Sequence, residues 1–264
     1  MRKGDGPTGD CGSGRLYSNY FSGMQGKPLH WAMRPQPRRR TFADESPLAM
    51  KAPSIHVMRL WATWIPVAGI AGFIALYLYA ASMYPGGTQS NHGTHGYSHL
   101  SNYWCDLLDG TAYSGDVNRG RPFAVLATII LPLSLVPLWL QVPVLLRDRA
   151  KSGRFVQVVG STAMVVSTAI FSSLHDIVIN VAAVLGFTAF AVTVLQLADT
   201  WHRALTAVAR LSAILCMANY LMWLTGTFLW AMPLVQKAAF VAFFSWIVAM
   251  SCAIRQVLVL EDSN

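Results

Sequence analysis

The sequence predicts an all-α protein: a polytopic bundle of six transmembrane helices, N-in and C-in, with one long external loop between helices 1 and 2. Three observations carry that reading. Hydrophobic residues make up 54% of the 264 positions and charged residues only 12%, about half the roughly 25% of a soluble domain. Apolar runs repeatedly reach the roughly 20 residues that about 30 Å of hydrocarbon demands. Finally, Lys and Arg segregate to one side of the topology that those runs define.

The spans are read at 60–84, 123–146, 155–174, 177–198, 208–231 and 234–254. Pro85-Gly86-Gly87 closes the first, while Pro122 and Pro233 occupy first-turn positions, where a missing N–H costs nothing. Pro132 and Pro137 lie inside the second span and are expected to kink it, which membrane helices tolerate when neighbours satisfy the freed carbonyls. The basic run from Arg147 to Arg154 divides the second span from the third. Only Ser172-Ser173-Leu174-His175-Asp176 divides the third from the fourth, so a tight hairpin is expected there. With the N-terminus inside, the external side holds just Arg119, Arg121 and Lys237 of the 20 Lys and Arg residues. This asymmetry places both termini in the cytoplasm and the protein in the cell membrane.

Residues 1–55 are rich in Gly, Pro and Arg and lack a sustained hydrophobic period, which predicts a disordered basic tail. Residues 56–258 form the transmembrane domain and 259–264 a short C-terminal tail. Met50 and Met58 are alternative starts, and the run from Met58 also resembles a signal peptide. Its apolar stretch exceeds the usual 7–15 residues, favouring a retained span. The formal charge of +8 resides largely in the tail, so it does not indicate a nucleic-acid partner. Cys11, Cys105, Cys216 and Cys252 show no paired spacing, which argues against a disulfide framework or a thiolate metal site.

Chemistry concentrates in the segment after the first span. Residues 85–122 are polar, rich in His, Asp and Asn, and too long for a plain connector. The predicted topology brings His175 and Asp176 to the same face. A candidate polar pocket therefore comprises Asp106, Asn118, Arg121, His175 and Asp176. Asp106, set among aromatic and aliphatic residues, reads either as a helix-start cap or as a buried functional carboxylate. Asn118 and Arg121 precede the second span, where arginine can bind phosphate or anchor at the interface. The pair His175-Asp176 reads either as a polar hairpin tip or as a site, since ionisable groups at membrane depth pair or line a pathway. Asn180 lies one helical turn beyond Asp176.

His92, His95 and His99 have metal-compatible spacing, but Gly93 and Gly96 favour a solvated loop. His95, His99 and His175 are the metal candidates. Asn219, in the middle of the fifth span, is expected to make an interhelical hydrogen bond. The sequence lacks a phosphate-binding Walker loop, an HExxH pair, a GxSxG elbow, an arginine-rich voltage helix and paired broken spans.

Tyr84-Pro85-Gly86-Gly87, Gly96-Tyr97-Ser98, Asn102-Tyr103-Trp104-Cys105-Asp106-Leu107 and Asn118 together resemble a bacterial six-span family, domain of unknown function 998, related to the Frag1/DRAM/Sfk1 group. Leu174-His175 at the start of the fourth span also looks like its pattern. The resemblance covers about 60–255. It implies a fold and no reaction, although wider relatives are linked to lipid organisation. Cys105 departs from the pattern, which has a small hydroxyl residue before the aspartate. A more distant likeness is to seven-span membrane hydrolases that include alkaline ceramidases. Ser172 or Ser173, Asp106, His175 and a loop histidine could imitate their zinc set, but no histidine follows His202.

The leading functional expectation is a membrane protein whose external pocket engages lipid headgroups, with the bilayer as partner and no cofactor. One alternative is a metal-dependent hydrolase of lipid amides or esters, with zinc held by His175 and a loop histidine and Asp106 as ligand or base. Another is a small-solute transporter with Asp176 and Asn219 lining one cavity.

Overall fold

Helices dominate the computed structural model, which describes residues 55–198 and 203–262. The described residues belong to one compact unit, Lys51–Asn264. The expected disorder of the tail falls on residues outside those described, except Ile55, which opens the first helix. In chain order the helices are α1 (Ile55–Ala62), α2 (Ile65–Ser82), α3 (Arg121–Gln141), α4 (Ala150–Ser167), α5 (His175–Leu197), α6 (Arg203–Thr225) and α7 (Met232–Asp262). Among the described residues strand pairing is limited to two isolated antiparallel bridges, Gly86 with His95 and Thr111 with Val117.

Among the described residues five stretches are long and apolar enough to cross a membrane: Ile55–Ser82, Arg121–Val144, His175–Leu197, Leu205–Thr225 and Met232–Asp262. Pro66 restarts the helix after Trp64, so α1 and α2 make one broken span. By contrast, α3 runs unbroken through Pro132 and Pro137. The sixth expected span is α4, whose 18 residues include Lys151, Ser152, Arg154, Gln157, Ser161 and Thr162. These polar groups dilute its apolar face.

Helix ends differ from the sequence expectation at three points. The third span stops at Ser167 rather than 174, although no Gly or Pro lies there. Ser167 Oγ and Thr168 Oγ1 donate to the carbonyls of Ala163 and Val165, as hydroxyls also do inside the longer helices, so these bonds do not by themselves explain the stop. Turns then fill 168–174. The fifth span ends at Thr225, not 231, because Gly226 takes a left-handed φ of 66°, a common helix stop. The last helix continues to Asp262, so most of the expected C-terminal tail is helical.

Packing follows chain order, with α2 against α3, α3 against α4, α4 against α5 and α6 against α7. Gly160 of α4 lets the Trp139 ring of α3 lie directly on its backbone; a Cβ there would come within 2.4 Å of the ring. Trp139 is 6.2 Å from Trp246, which meets Phe190 edge-on at 4.6 Å. α7 is thereby fixed against both α3 and α5. Contacts at the helix ends define the bundle's two poles. His56 lies 3.8 Å from Asp262, and Arg147 pairs with Glu261. At the other pole the α2–α3 connection covers the start of α7. Most of the outward surface is apolar, including Leu78, Leu133, Val158, Val184, Leu195 and Ile214.

Candidate functional site

The α2–α3 connection is a hydrogen-bonded cap, with His92, His95 and His99 exposed as the solvated-loop reading expects. Backbone bonds close it on itself. Gly87 N–H donates to the Thr94 carbonyl at 2.7 Å and Gly96 N–H to that of Pro85 at 3.1 Å. Gly87 has a φ of 87°, and a Cβ there would meet the Tyr113 backbone at 2.6 Å. Glycine is needed at this crossing on both counts.

Asn102, fully buried, knots the cap together. Its Nδ2 donates at 2.9 Å both to the Gly87 carbonyl and to Asp106 Oδ2, while its Oδ1 accepts from Ser98 N–H at 2.9 Å. Asp106 sits in a short 3-10 turn, Cys105–Leu108. Its Oδ2 also accepts the Tyr103 N–H at 2.9 Å, reaching back three residues as the acidic member of a capping box does. Asp106 is thus buried and bonded at the start of its turn. Burial pushes its carboxyl above the ordinary value, against the lowering effect of the bonds from Asn102 and Tyr103.

Trp104 pins the cap to the helices. Its ring stacks on Phe240 at 4.6 Å and lies 5.2 Å from Phe73 and from Tyr77. Its N–H donates to Gln236 Oε1 at 3.1 Å. Tyr103 Oη donates to the Leu229 carbonyl at 3.2 Å, tying the cap to the α6–α7 turn.

Beneath the cap, α5, α6 and α7 line an open cleft of about 620 Å³, within the roughly 300–1,000 Å³ typical of small-ligand sites. Each helix contributes one face at helical spacing. α5 supplies His175, Asp176, Ile179 and Ala183; α6 supplies Cys216, Asn219, Tyr220 and Trp223; α7 supplies Gln236, Ala239, Phe240 and Phe243. The cap adds Gln89, Tyr103, Cys105, Asp106 and Tyr113. The cavity is therefore polar where the cap meets α5 and mainly apolar along the helices. α5 and α6 touch sparsely beside it, and Tyr220 Oη donates to Asn180 Oδ1 across the gap at 3.3 Å.

Three of the five residues in the sequence-predicted pocket line this cavity: Asp106, His175 and Asp176. Asn118 and Arg121 stand off the lining and hold the cap's backbone. Asn118 Nδ2 donates to the carbonyls of Leu107 and Asp109 at 3.1 and 3.0 Å, and Arg121 Nε to that of Leu108 at 2.8 Å. Burial raises the Asp109 carboxyl, while His175 and Arg121 pull it back down. His175 Nδ1 contacts the Ile170 carbonyl. A carbonyl only accepts, so Nδ1 carries the proton and Nε2 is left as the variable atom of the ring.

His95 and His99 are exposed and do not join His175 at the cavity. An isolated bridge carries His95 and a turn carries His99, not a helix. Among the described residues no three His, Cys, Asp or Glu side chains gather closely enough to share a metal ion. Cys105 faces the cavity. Burial first, then Asp106, pushes its thiol up to about 11, so it stays a neutral thiol at physiological pH.

Among the described residues Asn219 makes no interhelical bond, contrary to the sequence expectation. Its Oδ1 is buried without a partner, and the residue lines the cavity. Gln236 and Tyr113 were not singled out in the sequence. Gln236 carries a signal, being a polar residue in helical register with Ala239, Phe240 and Phe243; Tyr113 carries none. No family model, curated protein or solved structure matches this chain.

Proposed function

We propose that this protein is a six-span integral protein of the cell membrane, both termini cytoplasmic, that binds a lipid or similar amphiphile in the cavity beneath its external cap. One observation carries the reading: a cavity of about 620 Å³ with a polar end under the cap and apolar walls along three helices. A wholly polar solute would leave Phe240, Phe243, Ile179 and Trp223 facing water. A wholly apolar one would strand Asp106 and His175. An amphiphile satisfies both ends. The sparse α5–α6 contact offers a lateral path from the bilayer.

The contact between His56 and Asp262 supports an even number of crossings, which makes α4 the sixth span. Arg147, Arg149, Lys151 and Arg154 then lie on the tail side, as the positive-inside rule requires. Single cysteines at Ser98 and Ser152, in a background lacking the native thiols, test this with an impermeant reagent on intact cells. Labelling at 98 and not at 152 is expected; the reverse pattern would invert the topology.

Lipid binding is tested by native mass spectrometry of detergent-purified protein with co-purified lipids extracted in parallel. A bound amphiphile that is lost when Ala183 and Ala239 are both enlarged to Phe supports the site. Protein that carries none, and takes up none from mixed micelles, removes it. A hydrolase reading has one observation in its favour, the presence of Asp106 and His175 on the same cavity. Release of fatty acid from lipid esters or amides by the same preparation would raise it above simple binding.

A further inference from the structure

The polar end of the cavity has a chemical bias that narrows its ligand, on the reading that the cavity holds an amphiphile. We infer that the head it takes is a cationic amine, not a phosphate or carboxylate.

The charged side chains on the lining besides His175 are both acidic, Asp106 and Asp176. The basic side chains in and against the cap are bound to backbone carbonyls or lie off the lining. Lys237 Nζ donates to the Asn102 and Pro233 carbonyls at 2.6 and 3.2 Å. Arg121 Nε is bound to the Leu108 carbonyl, and Arg119 is exposed and off the lining. Anionic heads are held by arginine forks, lysine or ordered N–H groups, and the lining offers no such cation. An anion here would face two carboxylates, and like charges repel.

The unused hydrogen-bonding atoms point to a donor-rich head as well. Asp106 engages its Oδ2 with Asn102 and Tyr103, while its Oδ1 has no hydrogen-bond partner among the described residues. His175 spends its Nδ1 proton on Ile170, leaving Nε2 as an acceptor when the ring is neutral. Asn219 Oδ1 is buried without a partner. These are unfilled acceptors, and an ammonium group brings three donors. A cation beside Asp106 also offsets the burial that disfavours its charge. Asn219 lies six residues before the end of α6, roughly 9 Å along the axis by helical rise. It can therefore receive a hydroxyl or amide N–H farther along the same ligand.

The test compares three probes with one tail, hexadecylamine, hexadecanol and hexadecyl phosphate, on the purified full chain in neutral-detergent micelles at neutral pH. Binding is read by native mass spectrometry and thermal shift. The amine is expected to bind roughly tenfold or more tighter than the phosphate, with the alcohol between. Asp176→Asn, which changes an exposed side chain with no bond to the cap, and Asp106→Asn, which keeps an acceptor for Asn102, are each expected to shrink that preference. Phosphate binding as tight as the amine, or a preference untouched by both substitutions, overturns the inference and leaves the amphiphile site standing. Failure of all three probes removes the amphiphile reading, and this inference with it.

Discussion

Lys237 Nζ lies 2.6 Å from the carbonyl oxygen of Asn102, joining the first turns of α7 to the buried residue around which the cap is tied. The same ammonium stands 5.8 Å from the centre of the Tyr97 ring. Tyr97 Oη in turn donates to the Tyr103 carbonyl at 3.0 Å. Lys237→Met keeps most of the stem and removes the donor. Charge-assisted bonds of this kind contribute about 1.5–3 kcal/mol. Backbone amides of 98–106 are therefore expected to exchange faster with deuterium while those of α3 do not. Equal exchange in both proteins would mean that the cap stands without this tie.

Asp106 should report its burial through pH. Its folded carboxyl titrates above the ordinary value, with burial as the largest cause. The charged groups acting on it are Asp109 and Lys237, and Tyr97, Tyr103 and Cys105 feel its charge. For a raised acid, the stabilising contribution is fully present below the unfolded value of about 3.9 and is lost as pH rises through the folded one. Asp106→Asn retains an acceptor for Asn102 and Tyr103 without the charge. Its melting temperature should gain on wild type as pH climbs from acid to neutral. A constant difference across that range would assign the titration elsewhere.

Asp106→Ala separates the charge from the bonds. It removes the acceptor of two N–H groups in the cap, one of them on fully buried Asn102. Unsatisfied donors cost about 1–3 kcal/mol each. The alanine variant should melt below both wild type and the asparagine variant throughout the pH range, in a fluorescence-monitored unfolding series.

Gly160 and Gly72 make a matched pair. A Cβ at Gly160 meets the Trp139 ring at 2.4 Å, whereas one at Gly72 meets nothing within 4 Å. Trp139 is 1% exposed, so its ring cannot swing aside. Gly160→Ala is expected to cost about 1–3 kcal/mol, the usual effect of overpacking. Gly72→Ala should be neutral or stabilising by up to about 1 kcal/mol from helix propensity. Thermal unfolding in detergent distinguishes them, and equal melting temperatures would deny the α3–α4 contact.

Asn219→Leu tests whether an unpaired polar group is kept for a ligand. Its Oδ1 has no partner, so the protein loses no bond when it is replaced. The variant should unfold at the same temperature as wild type or higher when stripped of lipid, and should hold a co-purified amphiphile less well. A loss of stability in the stripped protein would show that Asn219 serves the fold.

How far the sequence reads depends on whether the cause is local. Pro122 and Pro233 mark helix starts because a missing N–H and a fixed φ act at one position. The stop at Ser167 was not legible, since no Gly or Pro marks it. Nor was the division of labour among polar residues of the cap. Asn118 and Asp106 are both polar residues of the same connection, and both are buried. One satisfies backbone carbonyls off the cavity, and the other keeps an oxygen toward it.

By itself, then, the sequence determined an all-helical chain with apolar spans, their approximate bounds, and a polar segment between the first two. Hydropathy, helix length and proline geometry are properties of contiguous residues, so they are written along the chain. Tertiary structure decided that residues 83–120 fold into a cap, that Lys237 and Trp104 fasten it, and that Asp106, His175 and Asn219 share one cavity while His95 and His99 do not. Those outcomes depend on which donors and acceptors meet across helices far apart in sequence. Residue type alone cannot say which polar atom will be left without a partner.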